Sequence, residues 1–399
     1  MKPPLLFLCH RIPYPPNKGD KIRSFHLLKH LSESYRIYLG TFIDDPGDWK
    51  YSKKLQSWCE QVCIKKLDPR QAKLRSLKGF FSGQPLTLPY YFDSAMAQWV
   101  SSISSSEQID QILIYSSSMA QYILDKKFDS KNRIIDFVDV DSDKWRQYSE
   151  KKSWPMNWLY RRESTYLLNF EKKVAAALDA SFFVSSHEAE YFKQFVPESA
   201  TRIHHFSNGV DVDKFDPKLE FETPFQDGVQ QIVFTGAMDY WPNEDAVIWF
   251  AQKVFPVIHQ DWPGARFNIV GSRPSEKVLN LASMEGISVT GSVPDVRPYL
   301  KHATVVVAPM HIARGIQNKV LEAMAMAKPV VVTTMGLEGI NAIHEKEIIV
   351  ADTATGFVDE LAALFKGGNV SALGEAARDL VCKEFSWEKT LQKLDRWLK

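Results

Sequence analysis

The stretch Arg314-Gly315-Ile316-Gln317-Asn318-Lys319-Val320-Leu321-Glu322 puts a glycine, two cations and a carboxylate within nine residues. Gly315 falls where free backbone N–H groups at a helix start can approach an anion, and Lys319 adds a full positive charge close by. A phosphate suits that place. Glu322, one turn further on, is set to accept hydrogen bonds from vicinal hydroxyls such as those of a ribose. The combination fits a nucleoside diphosphate, with Arg314 a further cation and the loop residue His311 a neighbouring contact. The plainer reading is an ordinary crossover whose Lys319 and Glu322 form a solvated pair.

Such a site needs a loop that feeds a helix between two strands. The apolar runs 303–308 and 329–334 read as buried strands, so the segment between them is a βαβ crossover. A helix from about Gln317 to Ala327 puts Leu321, Met324 and Ala325 on one face and Lys319, Glu322 and Met326 on another. Strands upstream, 231–236, 266–271 and 287–291, each end in glycine, at Gly236, Gly271 and Gly291. Pro242 and Asn243 begin a helix, and Arg273 follows Gly271 closely enough to serve the same anion.

The first half repeats the theme with different residues. Leu5-Leu6-Phe7-Leu8 opens as a buried strand, a Pro-stiffened loop runs to Gly19, and a helix follows with Asp20 as N-cap and Ile22, Phe25, Leu28 and Leu31 on its apolar face. Lys18, Lys21 and Arg23 in that first turn make a second anion site. Residues 35–43, 112–115, 133–138 and 180–187 read as further strands. Asp139 lies just past the carboxyl end of one of them, where open parallel sheets line their ligand crevice. Asp139, Asp141, Asp143 and Glu150 also match positions 1, 3, 5 and 12 of a calcium loop. Lys144, however, takes the place that needs glycine, and a strand precedes instead of a helix, so no metal is expected.

Leu321-Glu322-Ala323-Met324-Ala325, with Lys328-Pro329-Val330-Val331, resembles the E-x7-E region of retaining glycosyltransferases of GT-B architecture, Glu322 standing at the second glutamate. Arg314 holds the place of the first. Ala237-Met238-Asp239-Tyr240-Trp241 stands where close relatives carry an Arg and a downstream Lys. The string Pro13-Tyr14-Pro15-Pro16-Asn17-Lys18-Gly19-Asp20-Lys21-Ile22-Arg23 is similar to the glycine loop of the first domain. It resembles in particular sugar transferases of exopolysaccharide and exosortase (PEP-CTERM) systems, and Asn208-Gly209-Val210-Asp211 matches the family's linker entry.

The resemblance implies an α/β fold of two Rossmann-like domains with parallel sheets facing across a cleft. It divides the chain into an acceptor-side domain, 1–212, a donor-binding domain, 213–385, and a last helix, 386–399, crossing back to the first. It assigns the donor nucleotide sugar to Gly236, Gly271, Arg273, Arg314, Gly315, Ile316, Gln317, Lys319 and Glu322. Catalysis falls to Asp139, Lys319 and Glu322, and an acceptor-side anion loop to Gly19 and Arg23. The implied reaction moves a sugar from a nucleoside diphosphate to a hydroxyl of a glycan or lipid-linked acceptor. Retention, no metal, no other cofactor, and a role in cell-surface or exopolysaccharide glycan synthesis go with it. Because the first glutamate is missing, a non-catalytic nucleotide-sugar or glycan binder of the same fold, or a nucleotide-sugar epimerase, is the alternative.

Composition bounds these readings. A chain of 399 residues is too long for one comfortable core. Its net charge of +1 speaks against nucleic acid as a partner. Four cysteines and no charged-then-apolar leader fit a reducing cytoplasm, with Cys59 and Cys63 as buried thiols. No Gly-x-Gly-x-x-Gly follows a strand, which disfavours a NAD dehydrogenase. Between residues 65 and 78 six Lys or Arg face one acidic residue, with Leu67, Leu74, Leu77 and Phe81 at helical spacing. Lys151-Lys152-Ser153-Trp154-Pro155-Met156-Asn157-Trp158-Leu159-Tyr160-Arg161-Arg162 interleaves aromatics with cations. Both stretches suit contact with an anionic membrane surface, peripherally and on its inner face; the first fits a solvated helix packed by its Leu face equally well, and the second could also bind glycan by stacking or close a domain edge.

Overall fold

The computed structural model describes residues 2–17, 19–225, 230–312, 315–368 and 370–398. The chain divides into two compact units: Met1–Ser207 with Leu391–Lys399, and Asn208–Thr390. No helix among the described residues is long and apolar enough to cross a membrane.

The first unit is built on seven strands: β1 Pro4–Cys9, β2 Arg36–Ile43, β3 Gln61–Lys66, β4 Gln111–Tyr115, β5 Asn132–Val138, β6 Ala180–Phe183 and β7 Ile203–His205. All pair in parallel, in the order β3-β2-β1-β4-β5-β6-β7. Helices cover both faces of such a sheet, so its central strands are apolar throughout rather than alternating. Leu5, Leu6, Phe7, Leu8 and Cys9 are accordingly all sealed from solvent. Chain order reverses between β1 and β4, which makes the carboxyl ends of those two strands the ligand-binding edge of a doubly wound sheet. At the far end of the chain, Trp397 and Leu398 accept hydrogen bonds from Asn132 (2.6 Å) and Tyr35, and the Trp397 indole lies 4.3 Å from the His204 ring.

The second unit repeats the plan with β8 Gln231–Thr235, β9 Arg266–Val270, β10 Ile287–Gly291, β11 Val305–Ala308, β12 Val330–Val332 and β13 Ile349–Val350, in the order β10-β9-β8-β11-β12-β13. Its pairings are also parallel, and its reversal point lies between β8 and β11. The α/β fold with two Rossmann-like sheets is therefore the one the family resemblance implied.

Local readings fared unevenly. Residues 65–78 do not form one amphipathic helix. Gln61–Lys66 is a sheet strand, Leu67 is buried behind it, and short helices Pro69–Ser76 and Lys78–Ser82 follow. Asp68 accepts from the amides of Arg70 and Gln71, and so starts a helix where the apolar spacing had run straight through. Residues Asp141–Glu150 are a helix, not a loop that could wrap a calcium ion.

Candidate active site

The helix Asn318–Ala325 starts nearly where its sequence placed it. Leu321, Met324 and Ala325 are fully buried, whereas Lys319 and Glu322 are half-buried on the other side. Gln317 stands at the N-cap without capping: its side-chain amide donates to the Gly315 carbonyl at 3.1 Å, so the first-turn amides find no side-chain acceptor there. Gly315 itself has φ +64°, a conformation glycine adopts freely. Ile316 packs against Gly339, where a side chain would come within 2.7 Å of its Cγ1. The Asn318 side-chain oxygen is buried with no partner among the described residues. Arg314 lies outside the described residues.

Lys319 points over the β8–β11 reversal. Its ammonium donates to Asn243 Oδ1, lies 3.7 Å from the Met310 sulfur just past β11, and sits 4.4 Å from the centre of the Phe234 ring in β8. Two glycines set this up. A Cβ at Gly236 would come within 2.7 Å of Asn243 Nδ2, and one at Gly271 would collide with the Gly236 carbonyl at 1.6 Å. Bare backbone at both strand ends lets Asn243 donate to the Ala237 carbonyl at 2.9 Å and turn its oxygen to Lys319.

Among the described residues no carboxylate lies within ion-pair distance of Lys319. Burial therefore pulls its ammonium down to about 7, with Glu322 offsetting only part of the loss. Burial likewise pushes Glu322 up to about 7, against the pull of Lys214 and Lys319. A cation and an acid, each shifted toward its neutral form by burial and neither in an ion pair among the described residues, mark this end of the helix as a candidate site. Arg273 lies past β9 on the same edge, exposed, at φ +52°, and paired with Asp239 at 3.1 Å. His311 is held between Asp245 (3.5 Å) and the Trp249 ring, 4.6 Å away.

The first unit corrects the second anion site. Arg23 is 1% exposed, paired with Asp136 at 2.7 Å, donating to the Phe206 carbonyl at 3.1 Å and lying on the Phe206 ring. Lys21 is equally sealed, against Asp48 at 2.5 Å. Neither cation faces a ligand, because a carboxylate from β5 and another from the loop after β2 took them into the core. Asp20 lies inside the helix Gly19–Ser34 and pairs with Arg11 at 2.5 Å instead of capping. The space beside Gly19 is open, so packing does not demand a glycine there, and Lys18 lies outside the described residues. Asp139 is engaged by Lys144 at 2.7 Å.

What does open at the β1–β4 reversal is a cavity of about 530 Å³. His10 past β1, Ser116 past β4 and Asp141 past β5 form its floor, and Tyr90, Trp145 and Tyr160 are among its walls. Ser116 holds φ +77°, a strained backbone for a residue with a side chain. Sequence reasoning missed this cavity. Its walls come from three separate helices, and the sequence suggested glycan stacking only for the aromatic stretch 151–162, which supplies Tyr160 but neither Tyr90 nor Trp145.

Two doubly wound parallel sheets, the second with a cation and an acid over its reversal point, define a GT-B glycosyltransferase fold. Residues 229–367, within the second unit, match the model of the family glycosyl transferases group 1. It is 20% identical over 377 residues to an uncharacterized 44.6 kDa protein in the cps region of Klebsiella pneumoniae, covering 92% of this chain and 91% of the relative. Among solved structures it is similar to the sucrose-phosphate synthase of Thermosynechococcus elongatus, with TM-score 0.67, 16% identity and coverage of 99% and 98%. It is also similar to HepE of Anabaena in complex with UDP, with TM-score 0.64, 13% identity and 99% of each chain covered.

Proposed function

We propose that the second unit binds a nucleoside diphosphate sugar and that the enzyme transfers the sugar, with retention and without a metal, to a hydroxyl of a glycan or lipid-linked acceptor held by the first unit. The observation that carries this is Lys319, a half-buried ammonium with an amide, a thioether and an aromatic ring around it and no counter-ion among the described residues. A diphosphate would restore the charge that burial suppresses. In the transition state negative charge grows on the leaving diphosphate, and Lys319, the first-turn amides of Asn318–Ala325 and Arg273 are the groups to meet it. Glu322 would accept from the ribose hydroxyls.

UDP is the nucleotide in the HepE complex, which supports a uridine diphosphate donor here. The match of the segment around Glu322 to retaining enzymes supports retention. A relative named for a cps region and the 13–23 string support a place in cell-surface or exopolysaccharide glycan synthesis, at the inner face of a membrane. Of the catalytic trio, Asp139 keeps the least support, since Lys144 already engages it.

The test is calorimetric titration with UDP alongside an assay for UDP release from UDP-sugars with acceptor present. Lys319→Ala and Glu322→Ala should each weaken UDP binding at least tenfold, about 1.4 kcal/mol or more. Near-normal affinity in both variants removes the site. Tight binding with no release of UDP from any donor points to a binder instead of a transferase.

A further inference from the structure

Helix Pro69–Ser76 and helix Met156–Ala177 each do two things at once. Lys73 and Ser76 on the first, and Leu159, Tyr160 and Glu163 on the second, line the cavity at the β1–β4 reversal. The residues between and beside them turn outward: Leu74 is 70% exposed, Phe81 93%, Trp154 79% and Trp158 56%. These are not stray surface apolar groups. Phe80 stacks on Trp158 with ring centres 6.2 Å apart, and Arg162 lies over both Phe80 (4.6 Å) and Tyr166 (4.2 Å) while donating to the Gly79 carbonyl at 2.7 Å. The two basic stretches that are far apart in sequence thus form one ridge beside the cavity. It carries Lys73, Lys78, Lys151, Lys152 and Arg161 as exposed cations in a chain whose net charge is only +1.

We propose that the acceptor is an amphiphile, a saccharide carried on a lipid phosphate, taken directly from an anionic bilayer on which this ridge sits. The aromatic apolar crest enters the headgroup boundary and the flanking lysines meet phosphates. The saccharide end then falls into the cavity, where Tyr90, Trp145 and Tyr160 offer stacking faces and Asp141, Ser116 and Ser118 offer hydroxyl partners. Glu163 takes no part in binding: it is fully occupied by the amides of Leu86 and Thr87 and the Thr87 hydroxyl, at 2.6 to 2.9 Å. The proposal rests on the sugar-transfer reading, and names the class of acceptor and the surface that delivers it.

Two measurements on the full chain test it. In co-sedimentation with vesicles, the protein should bind phosphatidylcholine containing about a third phosphatidylglycerol at least tenfold more tightly than phosphatidylcholine alone. Phe81→Ser with Trp154→Ser, and separately Lys78→Glu with Lys152→Glu, should each abolish the preference; both pairs change exposed residues, so thermal melting should not move. In ligand titrations, dodecyl glucoside below its micelle concentration should bind at least tenfold more tightly than methyl glucoside. The Phe81→Ser, Trp154→Ser protein should lose that difference, and Trp145→Ala should weaken both ligands. Indifference to phosphatidylglycerol, or equal binding of the two glucosides by the unaltered protein, overturns the proposal. UDP binding measured on the same samples separates the cases: if it stays intact, only the acceptor class is lost.

Discussion

In the first unit, Lys21 and Arg23 leave the β1–helix turn inward and meet Asp48 and Asp136 at 2.5 and 2.7 Å; in the second, Lys319 hangs over the corresponding reversal point with no carboxylate at ion-pair distance among the described residues. The two sheets share a topology, so the difference lies in side chains, not in architecture. Each buried cation of the first unit has a protein carboxylate, and together they cross-link β1's helix to strand and loop. Lys21 and Arg23 therefore add no charge to the edge of the first unit beside its aromatic cavity. Lys319 has dipoles and a ring, which lower the cost of its burial without cancelling it. A charge already neutralised inside the fold is structure; a charge held desolvated without an ion pair is what the proposed donor site relies on.

Substitution should separate the two kinds of cation sharply. Arg23→Met leaves Asp136, whose carboxyl burial already pushes up against the pull of Arg23, with no cation in the core. Loss of one partner of such a pair costs about 3–5 kcal/mol. Denaturant unfolding should show that loss for Arg23→Met and recover most of it in the double variant Arg23→Met, Asp136→Leu. Lys319→Met should cost no stability at neutral pH. If Arg23→Met were harmless and Lys319→Met crippling to folding, the contrast between the units would collapse.

The sequence made much of this legible, though not the contrast itself. Buried parallel strands announce themselves as apolar runs, and glycines at their carboxyl ends marked Gly236 and Gly271 before any coordinate did. The phase of the Asn318–Ala325 helix followed from Leu321, Met324 and Ala325. What spacing does not reveal is whether a cation has a partner 113 residues away, as Arg23 has in Asp136. Nor does it show that Asn243, 76 residues upstream, orients Lys319. Both are long-range pairings fixed only when the strands take their order. For the same reason, two basic aromatic stretches read separately became one ridge.

The proposed donor site should be visible in the pH dependence of stability. Lys319 titrates near 7 in the folded chain against an ordinary 10.5, so the unfolded chain binds the extra proton between those values and stability rises as pH climbs from 7 to 10. Glu322, raised from 4.5 to about 7, keeps its proton in the folded chain across that window, so its contribution falls as pH climbs from 4.5 to 7. Together they place a minimum near neutrality, where UDP should stabilise most. Unfolding measured from pH 4.5 to 10 should lose the alkaline rise in Lys319→Met and the acid-side fall in Glu322→Gln. Unchanged slopes in both variants would mean that these two groups are solvated like any surface pair.

Arg273 offers the smallest effect and a finer cut. It is an exposed cation held by Asp239 at 3.1 Å, on the same sheet edge as Lys319 but already answered by an acid, as the cations of the first unit are. An exposed pair of this kind is worth at most about 1 kcal/mol, so Arg273→Ala should leave stability within about 0.5 kcal/mol. Its affinity for UDP should drop by roughly fivefold, the equivalent of that same 1 kcal/mol. Asp239→Asn discriminates further. If Arg273 moves to the diphosphate, freeing it from Asp239 should tighten UDP binding. If affinity instead is indifferent to both changes, Arg273 belongs with the neutralised cations and Lys319 stands as the one the donor site uses.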